Sequence, residues 1–445
     1  MTTSISKSSG MPGRRRATAL LTAVALTSGV LAAAAAPASA LAASCTPGFA
    51  RGVDYAAGTA PYYILVSDLN GDGRADLVSN TLGGGSFEAL LGKGDGTFHP
   101  SVSTVDGGGG GLMAPYFSMG DFDADGNPDI AVADNGANTV RVLPGNGDGS
   151  FDAAVTSPAP LNPAFTTVGD FNEDGSLDVV VTNGGGGAMA FMPGNGDGTF
   201  GPPVALNPGQ NAFHVSVGDF DADGYADLAY GNTGGLGGNT VEVMLGNGDG
   251  TFQAAVPYTA GTNPWIAVPV DVNGDGRTDL VTAGVMNGGG VVLLGNGDGT
   301  FQAERPYTVN NAGGWFTTGD FTGDGRIDLA AQTMTGGVIL PGKGDGTFRT
   351  PVPFSTSGAV GSFVSGRFNA DGRTDLAVAN MAGNEISVLL GNCTSAATPA
   401  AKPKPTPTVK PKPKAKAKTP PRVQQVKKIQ IIKVKKRKKP KTDIG

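Results

Sequence analysis

Through the middle of the chain, short apolar runs alternate with polar, glycine-rich turns. One stretch shows the unit. "FTTVGDF" at 165 leads into an acidic turn, "LDVVVTN" follows it, then "AMAFMPG", then "FGPPVAL" after a second Gly-Asp turn. Runs of this length, bounded by Gly, Asn and Asp, predict four strands per unit. No helical periodicity accompanies them.

The unit repeats. D-x-[DN]-x-D-G-x-x-D followed by an apolar residue reads "DLNGDGRADL" at 68, "DFDADGNPDI" at 121, "DFNEDGSLDV" at 170, "DFDADGYADL" at 219 and "DVNGDGRTDL" at 271. It weakens to "DFTGDGRIDL" at 320 and "RFNADGRTDL" at 367. The starts lie 53, 49, 49, 52, 49 and 47 residues apart. Once per period comes a second phrase, as in "MLGNGDGTF" at 244. A four-stranded meander recurring at this period predicts a propeller blade rather than a solenoid coil. The fold class is therefore all-β: a seven-bladed propeller of four-stranded blades over 45–393.

The second phrase is complete only six times. The seventh starts "LLGN" and breaks off at Cys393. The missing strand is found at the other end, where "CTPGFARGVDY" at 45–55 places Phe49 and Tyr55 as "GDGTFQAAVPY" places Phe252 and Tyr258. An N-terminal strand is thus expected to close the ring and remove its open edges. Cys393 and Cys45, the only two cysteines, are then expected to face each other across one turn, as a disulfide clasp.

Composition changes the picture at the two ends. The formal net charge of the whole chain is −6. From residue 401 on there are 17 Lys+Arg and one Asp, and residues 1–44 hold 4 basic residues and no acids. That leaves 11 basic and 37 acidic residues for 45–400, a net charge of −26. Residues 1–40 read as a signal peptide: "RRR" at 14–16, an alanine-rich apolar run, then "ASA" at 38–40. "LAASC" departs from a lipobox at Ala42. The expectation is a secreted protein with no transmembrane segment after cleavage. Residues 394–445, rich in Pro and Lys, are expected to be a disordered basic tail suited to polyanions at or near a cell surface.

With these motifs the chain resembles the FG-GAP/VCBS-like repeat family, whose members resemble the seven-bladed propeller of integrin α subunits. That resemblance implies calcium in the loop joining the first two strands of a blade. The residues agree, since calcium takes six to eight oxygens in flexible geometry. The candidate ligands are Asp68, Asn70, Asp72 and Asp76; Asp121, Asp123, Asp125 and Asp129; Asp170, Asn172, Asp174 and Asp178; Asp219, Asp221, Asp223 and Asp227; and Asp271, Asn273, Asp275 and Asp279. Asp320, Thr322, Asp324 and Asp328 form a weaker sixth set. In the seventh, Arg367 replaces the first ligand and is expected to hold its loop electrostatically. About five to six calcium sites are expected. An EF-hand is excluded, because Ser79 stands where its twelfth-position Glu belongs and strands flank the loop. The aspartates of the second phrase read as turn formers.

Nothing reads as a catalytic centre. His99 and His214 lie in different repeats, and no nucleophile elbow, zinc spacing or phosphate loop is present. A non-catalytic binding or adhesion protein is expected, a monomer taking an extracellular glycan or protein ligand; a lectin or a carbohydrate-active enzyme is the alternative. Aromatic residues recur before each first strand: Tyr62, Tyr116, Phe165, Phe213, Trp265, Trp315 and Phe363. They read as packing between blades, with Trp265 and Trp315 the candidates for ligand contact.

Overall fold

The computed structural model describes residues 45–395, apart from short stretches at 51, 83–84, 107–115, 161, 185–188, 207–211, 233–237, 285–287, 311, 335, 357 and 359. The leader and the basic tail lie outside the described residues, and so do the expectations made for them. The chain divides into two units, Met1–Ala397 and Thr398–Gly445.

The first unit is a seven-bladed propeller. Among the described residues there are 29 strands and no helix, in seven antiparallel sheets. The first blade runs Pro61–Ser67, Asp76–Thr81, Ser86–Leu90 and Val102–Val105 from the axis outward. The next five repeat that meander. Second strands such as Asp76–Thr81, Asp129–Asp134 and Asp375–Asn380 are buried throughout, since a middle strand of a blade is covered by neighbouring blades on both faces. Apolar clusters therefore lie between blades. One holds Ile64, Val66 and Leu77 of the first blade with Val364, Ala377 and Val388 of the seventh.

The seventh blade is closed by both ends of the described chain. Val360–Gly366, Asp375–Asn380 and Glu385–Ser395 supply three strands, and Cys45–Ala50 with Asp54–Ala56 supplies the fourth. The register reproduces the other blades. Phe49 sits opposite Gly391 as Phe252 sits opposite Gly246, and Tyr55 sits opposite Ile386 as Tyr258 sits opposite Val241. The cysteines depart from the expected geometry. Cys45 is opposite Ser395 and Cys393 is opposite Pro47, two residues out of register. The cause is the lost Gly-Asp-Gly turn. With no glycine at 393–395 to bend it, the third strand runs on to Ser395, two residues past the expected boundary.

Candidate metal centre

The acidic motif forms the loop between the first and second strands of each blade, and its own carboxylates shape it. In the second blade, Asp121 Oδ1 accepts the Asp125 N–H at 3.1 Å and Oδ2 the Gly126 N–H at 3.0 Å. Asp123 Oδ1 accepts the Asp125 N–H at 3.2 Å, and Asp125 Oδ1 the Asn127 N–H at 2.8 Å. These are Asx turns, which Asp and Asn favour because the side chain mimics a backbone acceptor. In the first six loops the fourth motif position has a left-handed backbone. Glycine supplies it at Gly71, Gly274 and Gly323, but Ala124, Glu173 and Ala222 adopt it too, with φ of 61°, 55° and 60°. A residue with a Cβ is strained there by ~1–2 kcal/mol.

The last aspartate of each motif does something the sequence did not announce. All seven are fully buried: Asp76, Asp129, Asp178, Asp227, Asp279, Asp328 and Asp375. Each accepts one backbone N–H from its own loop and one from the first glycine of the second phrase. For Asp76 the donors are Leu69 at 2.8 Å and Gly92 at 2.6 Å; for Asp375 they are Phe368 at 2.9 Å and Gly391 at 2.8 Å. The carboxylate thus ties the first turn of a blade to its second. The glycine is obligatory, because a Cβ on Gly92 would lie 2.2 Å from the Ala75 carbonyl oxygen and one on Gly391 2.5 Å from that of Thr374. That is why the truncated seventh phrase keeps "LLGN" before it breaks off. Burial outweighs these hydrogen bonds and pushes Asp76, Asp129, Asp178, Asp279 and Asp375 up to about 6, and Asp227 and Asp328 up to about 7.

Carboxylates converge where the third motif position is Asp. Oxygens of Asp121, Asp123 and Asp129 lie within 4.8 Å of one another, and so do those of Asp219, Asp221 and Asp227. In the first, third and fifth loops that position is Asn70, Asn172 or Asn273, whose amide nitrogen donates to Asp72, Asp174 or Asp275. The fourth loop fits a cation best. Asp219 Oδ1 is buried with no hydrogen-bond partner, and burial together with the Asp223 and Asp219 charges raises the Asp221 pKa. A buried oxygen without a donor is costly, and a cation removes that cost. Asp219, Asp221 and Asp227 are the residues that would hold the ion, which would supply positive charge to a cluster of carboxylates.

The sixth loop is organised differently: Thr322, not the residue before it, gives its N–H to Asp328, at 2.9 Å. In the seventh, Arg367 makes no ion pair among the described residues, so the expected electrostatic hold is absent from them. The second-phrase aspartates are turn formers, as read. Asp95 Oδ1 accepts from the Thr97 N–H at 2.9 Å and from its hydroxyl at 2.6 Å, which holds Asp95 below the usual carboxylate range. These turns also join blades, since Gly198, Gly250 and Gly299 each donate to a carbonyl in the acidic loop of the preceding blade, Phe122, Phe171 and Phe220.

The candidate ligand aromatics lie at the axis. Trp315 has its ring 5.6 Å from Tyr63 and 5.8 Å from Tyr116, which belong to the first and second blades. It therefore reaches across the axis from the sixth blade. Tyr116 continues to Phe165 at 5.8 Å, and Phe165 to His214 at 4.4 Å. Trp265 and Trp315 are half-buried and pack into one cluster with Ile266 and Phe316. His214 is buried and its burial lowers its pKa to about 3, so it is a neutral packing residue. A buried ion-paired group had no signal in the sequence: Arg141 of the second blade bonds Asp106 at the end of the first and lies 3.3 Å from Asp134.

Solved structures with this architecture include an Agrocybe aegerita lectin that recognises non-reducing terminal N-acetylglucosamine, with a TM-score of 0.51 at 23% identity over 73% of this chain and 86% of that one. BBS1N in complex with ARL6DN gives 0.51 at 14% identity, over 77% and 96%. At such identities the likeness is one of fold alone. No curated protein matches the sequence. The family model for the FG-GAP-like repeat matches residues 68–132, 121–181, 170–230, 233–282, 271–331 and 320–378. Those matches span the acidic loops, the buried aspartates and six of the seven glycines they bond, and the chain belongs to the FG-GAP-like repeat family.

Proposed function

We propose that this protein is a secreted, calcium-binding propeller that acts as a non-catalytic binding or adhesion protein. The observation that supports calcium most directly is the fourth loop, where three carboxylates converge and Asp219 Oδ1 has no donor. Hard oxygen ligands in a loop of this kind select calcium over softer metals. The carboxylates that would otherwise suggest acid–base chemistry are engaged in shaping loops and joining turns, which supports a binding role. A glycan is the favoured ligand class, in keeping with the lectin that shares the fold. The basic run after residue 400 would hold the protein on extracellular polyanions. The test is a glycan and matrix-protein array probed with calcium and with EDTA. Calcium-dependent retention of a glycan is the expected result. Absence of any ligand, together with calcium-independent melting, would overturn the reading.

The clasp belongs to the same proposal. By register with the fourth blade, Cys393 follows Gly391 as Gly248 follows Gly246, and Cys45 precedes Phe49 as Gly248 precedes Phe252. Both cysteines thus stand at one repeat position, where the chain is broken. A disulfide there would replace the missing turn in an oxidising compartment. Peptide mapping without reduction should recover the 45–393 link, and two alkylatable thiols would refute it.

A further inference from the structure

We propose a ligand site at the seam between the sixth and seventh blades, and assign it to a neutral saccharide. The proposal rests on the glycan-binding reading above and gives it a place.

At four of the other six seams an outer-strand hydroxyl of one blade locks onto the next; the exceptions are Leu206, which has no hydroxyl, and Tyr307, whose hydroxyl donates to the Thr282 carbonyl of its own blade. Tyr55 Oη accepts the Phe98 N–H at 2.9 Å, Thr104 Oγ1 the Phe151 N–H at 3.3 Å and Ser157 Oγ the Phe200 N–H at 2.9 Å. Tyr258 Oη donates to the Gly299 carbonyl at 3.3 Å. At the seam the equivalent residue is Phe354, which pairs with Gly337 as Tyr258 pairs with Val241. It has no hydroxyl, and the strand it faces is the N-terminal closing strand. A cleft of about 610 Å³ opens there. That volume lies within the ~300–1,000 Å³ of small-ligand sites.

The lining has the chemistry of a sugar site. Phe49 and Phe354, with ring centroids 5.0 Å apart, supply half-buried apolar surface. Asp54 supplies an exposed carboxylate, of which Ser387 Oγ uses one lone pair at 2.7 Å. A carboxylate keeps further acceptor sites for vicinal hydroxyl donors. Thr356 Oγ1 lines the same cleft, buried and without a hydrogen-bond partner. Ser355 also lines the cleft. No cationic side chain is among the described lining residues. A ring with one apolar face and several hydroxyls meets every group present.

The test is calcium-loaded full-length protein titrated with methyl glycosides of neutral hexoses and N-acetylhexosamines, beside a lysine-rich peptide, for wild type, Asp54→Asn and Thr356→Val. The expected result is saccharide binding by wild type that is about tenfold weaker or worse in each variant, the scale of one hydrogen bond to a charged group or of one buried hydroxyl. Unchanged melting midpoints in calcium show that the fold survives both substitutions. Saccharide binding that both variants retain in full would overturn the seam site and leave the glycan-binding reading standing. Binding of the peptide alone, lost in Asp54→Asn, would overturn the saccharide assignment. No saccharide binding by wild type would overturn both.

Discussion

The fourth and seventh acidic loops share a scaffold and differ in nearly everything built on it. Each is tied down by a buried aspartate, Asp227 or Asp375, that accepts two backbone N–H groups. In the fourth loop, Asp219, Asp221 and Asp227 converge, and Ala222 is held in a left-handed conformation. In the seventh, Arg367 stands in the place of Asp219, and Ala370 does not have a positive φ. What remains of the motif there is two Asx turns, from Asn369 to the Asp371 N–H at 3.0 Å and from Asp371 to the Arg373 N–H at 2.9 Å. The difference separates two jobs that one motif conceals. The last aspartate joins two turns of a blade, whatever else the loop does. The first positions gather negative charge, and the seventh loop, which has lost the first carboxylate, does not keep the left-handed turn.

The largest effect should come from the shared part. Asp227→Ala and Asp375→Ala each leave two buried N–H donors unpaired, at roughly 1–3 kcal/mol apiece. Urea unfolding in EDTA should show a loss of about 2–6 kcal/mol for both variants. A seventh-loop variant that lost less than about 1 kcal/mol would break the claim that the two loops share this element.

The next effect should separate the loops. Bound calcium adds about 2.7 kcal/mol per site at a hundredfold excess over Kd. Asp219→Ala should remove an increment of that size from the stability difference between calcium and EDTA, whereas Asp371→Ala should leave the difference unchanged. Equal sensitivity of the two would place an ion in both loops.

The pH dependence should change with metal. In EDTA, the seven buried aspartates have folded-state pKa values of about 6 to 7, above the ordinary carboxylate value. A raised folded pKa means the native state binds more protons than the unfolded chain between the two values. Stability in EDTA should therefore rise as pH falls from 7.5 to 5. In calcium the ion favours the ionised form of its ligands, so the slope should flatten or change sign. Melting curves over that range with and without EDTA decide it, and an equally steep slope of the same sign in both would argue against metal.

The smallest effect concerns backbone strain. Ala222→Gly should stabilise the protein in EDTA by about 1 kcal/mol, because glycine adopts the left-handed conformation freely. Ala370→Gly should give no gain and a loss of up to about 1 kcal/mol through added unfolded-state entropy. Urea midpoints of the two variants test the sign.

The fold was legible because it repeats. Seven near-copies of one unit averaged out the ambiguity of any single apolar run, and one period named the blade, the broken phrase and the strand that completes it. Phe49 and Tyr55 could be placed before any coordinates because a closing strand must reproduce the side chains of the strand it replaces. The candidate ligands were legible for the same reason, as types at a fixed spacing. Sequence spacing did not say what each oxygen bonds. Asp76 and its five equivalents in the second to sixth loops read as ligands like the others, yet both oxygens accept N–H groups, one of them from a glycine 14 to 19 residues away. The broken phrase did not announce that the third strand of the last blade runs on to Ser395 where a turn was expected. The reach of Trp315 to Tyr63 and Tyr116, the Arg141 ion pair with Asp106 and the cleft beside Phe354 are all contacts between blades. Local sequence determines a blade, because a meander is made by neighbours in the chain. What lies between blades was decided only when the ring closed and brought together residues from different repeats, which no pattern within one repeat encodes.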